Sequence, residues 1–324
     1  RLYLQIFRGR EGEPSARLQE HVRRVFLDHP RRTQHDASLV YEAADGEIAG
    51  MFGVLPTPML LDGRPVPGAV ISTWMARPGP GRARAATRLV RAHLKRGHAI
   101  SITNTANATS MSMQQSLRFR YAATHSLEWF KVLNFSAYAA AVAARRAGGR
   151  LPAAAARAVH AAESGLVRAL GRAGVAAPAR WSVEEASPPD FAARLLALSQ
   201  RFRFRPDWRV EDIVWALDLA AERRQSGPLR LCEARDDKGE IAGVFAYYAP
   251  PTGRAEALQI VARPHADAQV LRAFVADAAA RRCAYVCGAA GPLAVAALFD
   301  MPGVFFRQTA GTAFRADSDD IANA

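Results

Sequence analysis

Lysine is nearly missing from this chain: of its 43 basic residues only Lys95, Lys131 and Lys238 are lysines, and the rest are arginines. Cysteine is as scarce. Cys232, Cys283 and Cys287 are the only three, too few and too unevenly placed for a disulfide framework. The Cys283/Cys287 pair has no His or Cys partner at ligand spacing, so buried thiols are expected and no metal. No stretch of about 18 residues is both apolar and free of charge, which argues against a membrane-spanning helix. The Ala-rich run from Ala137 to Ala169 comes nearest, but Arg145, Arg146, Arg150, Arg157, His160, Glu163 and Arg168 interrupt it, and it reads as soluble helix. The chain opens at Arg1 without a charged head and an apolar core, so no secretory signal is expected and a cytoplasmic location is the default. A serine-hydrolase elbow, a P-loop, an HExxH motif and a dinucleotide fingerprint are all lacking: Gly79-Pro80-Gly81 has no third glycine and no acidic follower.

What is present is enough apolar residue, 50% of 324, for two ordinary cores, and this length favours two units of about 100 to 200 residues each. The net charge is +13. Either it reflects an arginine- and alanine-rich compositional habit, or it forms a basic surface for a polyanion: coenzyme A, a nucleic acid or an acidic membrane face.

The strongest signal is internal. Gly46-Glu47-Ile48-Ala49-Gly50-Met51-Phe52 recurs as Gly239-Glu240-Ile241-Ala242-Gly243-Val244-Phe245, each after an acidic turn (Asp45; Asp236 and Asp237) and a short apolar run. Strand, tight turn and strand make a hairpin. Ala76-Arg77-Pro78 and Ala262-Arg263-Pro264 then close apolar runs from Val70 to Met75 and from Leu258 to Val261. Each is followed by a helix (Arg84 to Lys95; Ala268 to Arg281), a strand (His98 to Thr103; Ala284 to Cys287), a short helix (Ser110 to Leu117; Pro292 to Phe299) and an aromatic strand (Tyr121 to Val132; Val304 to Phe314). One element order on both sides of a shared heptapeptide points to duplication. The expected division is a first unit over 1–135, an Ala-rich helical linker over 136–180 with its helix from Leu151 to Gly174, and a second unit over 181–324, led into by Pro178 and the Ser187-Pro188-Pro189-Asp190 turn and carrying a helix from Phe191 to Arg201. The stretch Arg203 to Trp208 interleaves arginine with aromatics. It either stacks bases, lies on a membrane, or seats its aromatics in the core.

Hairpin, long strand, turn, helix, strand, helix, strand is the order of the GNAT superfamily of N-acetyltransferases, and both halves resemble it, over roughly 20–135 and 181–316. The resemblance implies an α/β (α+β) fold of two tandem units, each a mixed, mostly antiparallel sheet flanked by helices. At the turn that family carries a loop of the type Arg/Gln-x-x-Gly-x-Gly/Ala, in which small residues and a helix N-terminus receive the pyrophosphate of coenzyme A. Here the corresponding stretch is Arg77-Pro78-Gly79-Pro80-Gly81-Arg82-Ala83-Arg84-Ala85-Ala86. Two registers fit it, one led by Arg82 and one placing Gly81, Arg82, Arg84 and Ala86 on the motif. Met75, Arg77, Gly81, Arg82, Ala83, Arg84 and Ala85 are thereby the implied cofactor residues. The family often continues with Asn, a small residue, an aromatic and Gly-Phe, and Asn107, Ser110, Gln114, Arg118 and Phe119 stand at those places. Asn107 and Ser110 fit a contact with the cofactor arm. Gln114 replaces the tyrosine that often protonates the leaving thiolate, and Arg118 replaces the glycine. The second half has no glycine in Pro264-His265-Ala266-Asp267-Ala268-Gln269, which makes it a degenerate partner.

The resemblance implies an acyl-CoA-dependent N-acyltransferase, with acetyl-CoA or another acyl-CoA as co-substrate and a small-molecule or peptide amine as acceptor. A nucleic acid is a less favoured partner, and no oligomeric state is implied. Such chemistry needs a general base. The central strand from Ala69 to Met75 offers no carboxylate, so the candidates are Glu42, His125 and Glu128; Ser126 and Glu128 share one face of the predicted strand and His125 takes the other. Glu256 would serve if the cofactor sat in the second half. Each of these also reads as an ordinary exposed or capped polar residue. Trp74-Met75 reads as core, or as the lining of an acyl channel. Two rivals stand beside the enzyme: a non-catalytic GNAT-like binding scaffold, and a Fem-type transferase fed by aminoacyl-tRNA, which the charge suits but whose coiled-coil arm is not evident here.

Overall fold

A computed structural model describes residues 1–146 and 180–324, with 155, 158 and 161–163 between them. The chain runs α1 (Leu2–Arg8), α2 (Ala16–Phe26), β1 (Leu39–Glu42), β2 (Ile48–Pro56), β3 (Met59–Leu61), β4 (Arg64–Val66), β5 (Gly68–Ala76), α3 (Arg82–Leu94), β6 (Ile100–Ala106), α4 (Ala108–Ser116), β7 (Arg120–Tyr121), β8 (Leu127–Val132) and α5 (Phe135–Arg146). After the linker come β9 (Ser182–Glu185), α6 (Pro188–Ser199), β10 (Phe204–Pro206), α7 (Val210–Ala221), β11 (Leu229–Arg235), β12 (Ile241–Tyr248) and β13 (Arg254–Ala262). The rest is α8 (Asp267–Ala280), β14 (Tyr285–Ala289), α9 (Pro292–Phe299), β15 (Val304–Gln308), β16 (Gly311–Ala316) and α10 (Asp319–Ala322). The expected linker helix from Leu151 to Gly174 falls almost wholly outside the described residues. Among the described residues no helix is long and apolar enough to cross a membrane.

The repeated heptapeptide does the same work twice. Gly46 and Gly239 turn each hairpin at φ 78° and 80°, a region that costs glycine little. Phe52 and Phe245, one position apart in pleat from the repeated glycine's neighbour, are completely buried. A side chain at Gly50 would meet Leu89 of α3 at 2.9 Å, and one at Gly243 would meet Val270 of α8 at 2.6 Å. The conserved spacing thus lets the helix after the central strand lie close on the hairpin. The arginine of each Ala-Arg-Pro returns to the same hairpin: the amide of Arg77 donates to Ala49 and that of Arg263 to Ala242, while their guanidinium groups pair with Asp45 and Asp236.

The two aromatic strands expected at 121–132 and 304–314 are each broken in two. The first becomes β7, a single 3-10 turn at Thr124–Ser126, and β8; the second becomes β15 and β16. At each break the chain changes sheet. The first sheet has the order β1-β2-β5-β6-β16-β7, and the second β15-β8-β14-β13-β12-β11-β9. Each half therefore supplies a strand to the sheet of the other, and the compact units interleave along the chain: residues 1–123, 203–208 and 310–324 form one, and 124–202 with 209–309 the other. This differs from the expected contiguous division. A strand hydrogen-bonds equally well in either sheet, so a half's own pattern carries no mark of the exchange.

Within the first unit β10 pairs with β3 beside β4. Phe204 packs with Met59, Val66 and Ile100, and Arg203 pairs with Asp62 at 2.9 Å, so the basic aromatic stretch is structural there. In the second unit Ser187 caps α6 by accepting from the amide of Asp190. Cys232, Cys283 and Cys287 are free and buried, as expected, and burial pushes each thiol up to about 12.

Candidate functional site

The central strands of the first sheet are a parallel pair that holds together only briefly. Gly68 to Val70 face Ile100 to Ile102, while β5 runs on to Ala76 and β6 to Ala106. Beyond the paired segment the strands form a fork. A bulge sits on β5 there: Gly53 faces Ser72 and Met51 faces Met75, so Phe52 alone opposes Thr73 and Trp74. Thr73 takes φ 51°, which costs a β-branched residue on the order of 1–3 kcal/mol and is held only where the surroundings dictate it.

A cavity of about 430 Å³ occupies the fork. Residues 72–76 of β5 form one wall, and Thr103 and Thr105 of β6 form the other; their spacing of two puts them on one face. Gly79, Pro80, Arg82, Ala83 and Ala86 enter from the start of α3, and Asn107, Thr109, Ser110, Met113 and Gln114 from α4, with Ile6 and Phe7 of α1 at the rim. The first turn of α3 has no acidic residue and no side-chain cap. Its amides and the positive end of its dipole, joined by Arg82, favour an anion. Gly79, at φ 129°, makes the bend that brings them there. Deeper in, Gln114 is almost fully enclosed. Its Oε1 and the indole Nε1 of Trp74 are buried with no partner among the described residues, an arrangement that costs stability unless a ligand or water completes it.

The structure brings Met75, Arg82, Ala83, Asn107 and Ser110 together around this cavity. Asn107 and Ser110 also have a local role: Asn107 caps α4, its Oδ1 accepting from the Ser110 amide at 2.9 Å. Gly81, Arg77, Arg84 and Ala85 are not among the lining residues. Arg77 is engaged with Asp45 at 3.5 Å, Arg84 is exposed, and Ala85 is buried with Ala76 and Ala86. Of the base candidates, Glu42 ends β1 in an exposed position. His125 and Ser126 lie in the 3-10 turn instead of on a strand, and burial pulls the His125 imidazole below its usual range. Glu128 lies on β8 of the second unit, paired with Arg307.

Of the other lining residues, Thr103 and Thr105 were passed over by motif reading, Gln114 was read as a departure from the motif, and Trp74 as core or the lining of an acyl channel. One sign of them was in view: Thr103-x-Thr105-x-Asn107 puts polar side chains on alternate positions of a strand that the sheet order makes central, where apolar residues are the rule.

No protein-family model matches the sequence, and no curated protein matches it. Solved structures do match. A probable N-acyltransferase of Enterococcus faecalis V583 aligns over 97% of this chain and 68% of its own, at 14% identity and a TM-score of 0.62. A GCN5-related N-acetyltransferase from Anabaena variabilis aligns over the same shares at 15% identity and 0.60. The N-myristoyltransferase of Saccharomyces cerevisiae, solved with bound myristoyl-CoA and inhibitors, aligns over 92% of this chain and 72% of its own at 11% identity and 0.52. Identities this low speak for architecture alone. The chain has the GNAT-superfamily fold, in two units, as the element order implied.

Proposed function

We propose that the protein transfers an acyl group from an acyl-CoA thioester to an amine, with the fork of the first unit as the donor site. The observation that carries this reading is the cavity between the parted ends of β5 and β6, closed at one side by the uncapped start of α3. In this reading the pyrophosphate meets the first-turn amides and Arg82, and the pantetheine arm lies in the fork, where the hydroxyls of Thr103 and Thr105 and the open atoms of Trp74 and Gln114 receive its polar groups. The amine nitrogen attacks the thioester carbon, the C–N bond forms, the C–S bond breaks, and the amine gives up a proton. Gln114 has no ionisable proton, so it stabilises the departing thiolate by hydrogen bonding and does not protonate it. The proposed proton acceptor within the first unit is Glu42, which does not line the cavity and so accepts the proton through water; His125 and Glu128 belong to the second unit. The acyl group is acetyl or longer, and the acceptor is a small-molecule or peptide amine.

A second reading, a non-catalytic scaffold that binds acyl-CoA, is favoured by one observation: among the described residues lining the cavity there is no carboxylate, histidine or tyrosine. Two measurements separate the readings. Thermal unfolding with millimolar acetyl-CoA and longer acyl-CoAs should show a raised midpoint, because the ligand binds the native state alone, and Arg82→Ala should reduce the rise. Release of free CoA thiol in the presence of a panel of amines should follow. No shift with any acyl-CoA removes both readings, and a shift without thiol release leaves the scaffold.

A further inference from the structure

Away from the fork, the first unit gathers an unusual set of side chains around the loop before β1. His35, Asp36 and His98 each bring one ligand atom to within 4.8 Å of the others. His98 Nε2 lies 2.8 Å from Asp36 Oδ1, and the rings of His35 and His98 are 5.2 Å apart. We propose that these three residues form a binding site for a divalent transition metal of the zinc type.

The case rests on donor chemistry and on how the donors are held. Two imidazoles and a carboxylate are a borderline set that suits Zn²⁺ and its neighbours better than Mg²⁺ or Ca²⁺. Metal bonds of about 2.0–2.1 Å in tetrahedral array set the ligand atoms roughly 3.3 Å apart. The site thus needs a small opening between Asp36 and His98 and a small approach by His35, which is exposed. The other two ligands are already oriented. Asp36 accepts a hydrogen bond from Thr33 Oγ1 at 2.6 Å on its second oxygen, Oδ2, which leaves Oδ1 for the metal. His98 is buried and stacks on His93, ring centroids 4.9 Å apart, and His93 is in turn fixed by Ser101 Oγ at 2.9 Å. His98 is thus held by packing, its Nδ1 being buried with no partner among the described residues, while Asp36 is oriented by a hydrogen bond as outer-shell groups orient metal ligands. The guanidinium of Arg96, a cation close by, donates to the carbonyl of Ala37. The metal would tie the loop at 33–37 to the residues leading into β6, the strand that forms a wall of the fork.

The full chain, freed of metal with a chelator, should bind Zn²⁺ with a stoichiometry of one by isothermal titration calorimetry, and Co²⁺ should give the visible absorption of a four-coordinate nitrogen–oxygen site. His35→Ala removes an exposed side chain and leaves the fold intact. It and Asp36→Asn should each weaken binding by at least the roughly 10- to 100-fold lost when an outer-shell partner is removed. Absence of saturable binding, or a Zn²⁺ affinity equal in the protein and in His35→Ala, overturns the proposal; the latter result would mark adventitious binding by other histidines. Failure of acyl-CoA binding would leave the site untouched, since none of its three ligands lines the cavity.

Discussion

The two units use the same fork differently. In the second sheet β13 and β14 also pair in parallel for only three positions, Arg254 to Glu256 against Tyr285 to Cys287, and then part as β5 and β6 do. There the space is packed. Trp129, completely buried, lies on β8 beside β14, and a side chain at Gly288 would meet Ala257 at 3.0 Å and the Trp129 indole nitrogen at 3.2 Å. Phe274 of α8 closes on the same indole at 6.1 Å between ring centroids. In the first unit the equivalent inserted strand, β16, brings Ala313 opposite Thr103, and the fork stays open with hydroxyls on its wall. The helices that follow differ in the same sense. The first turn of α3 has no acid, whereas Asp267 stands in the first turn of α8 and is held by Arg201 at 3.1 Å. One helix start is without an anion in its first turn and the other has one. A shared backbone thus encloses a cavity or a core according to a few side chains.

The largest effect that would break this comparison is expected from Trp129→Ala. If the indole fills the second fork, its removal should cost about 3–5 kcal/mol in denaturant unfolding; a loss under about 1 kcal/mol would mean that the fork is not packed as described. Next come the repeated glycines. Gly243→Ala places a methyl 2.6 Å from Val270 and 2.7 Å from the backbone oxygen of Val261, whereas at Gly50 the nearest atom is the flexible end of Leu89 at 2.9 Å. The first should cost about 2–3 kcal/mol and the second about 1 kcal/mol, and equal losses would show that the two helices approach their hairpins equally closely. Ala83→Asp gives α3 the acid that α8 has. It should weaken acyl-CoA binding about tenfold, a loss of roughly 1.4 kcal/mol, with little change in stability, as read by titration calorimetry. The smallest difference is expected at the paired arginines: Arg77→Ala, which breaks a surface pair, should stay within about 0.5 kcal/mol, and Arg263→Ala, whose partner Asp236 is enclosed, should cost more.

Much of the fold was legible. The hairpins, both central strands, α3, α8 and α9 stand within a few residues of where the repeat places them, because apolar runs and turn glycines mark them locally. The helices α1, α2 and α7 were not anticipated. α7 holds Ile213 and Leu217 buried four apart, a helical spacing that was open to reading. At the site, Arg82, Ala83, Asn107 and Ser110 were reached through a family pattern, but the same pattern also drew in Arg77, whose guanidinium serves the hairpin turn. Gln114 stood at a motif position as a mere departure; only the structure shows it enclosed at the cavity with an Oε1 that has no partner among the described residues. His35, Asp36 and His98 were passed over because 62 residues separate Asp36 from His98, and no spacing rule joins them.

By itself the sequence determined which segments become strands and helices and that the set occurs twice, since periodicity, turn residues and caps act over a few neighbouring residues. Only the tertiary structure decided which sheet β8 and β16 join, that one fork is open and the other filled, and which polar atoms are left without partners. Those outcomes depend on what lies opposite each side chain across a gap, and residues far apart in the chain supply it.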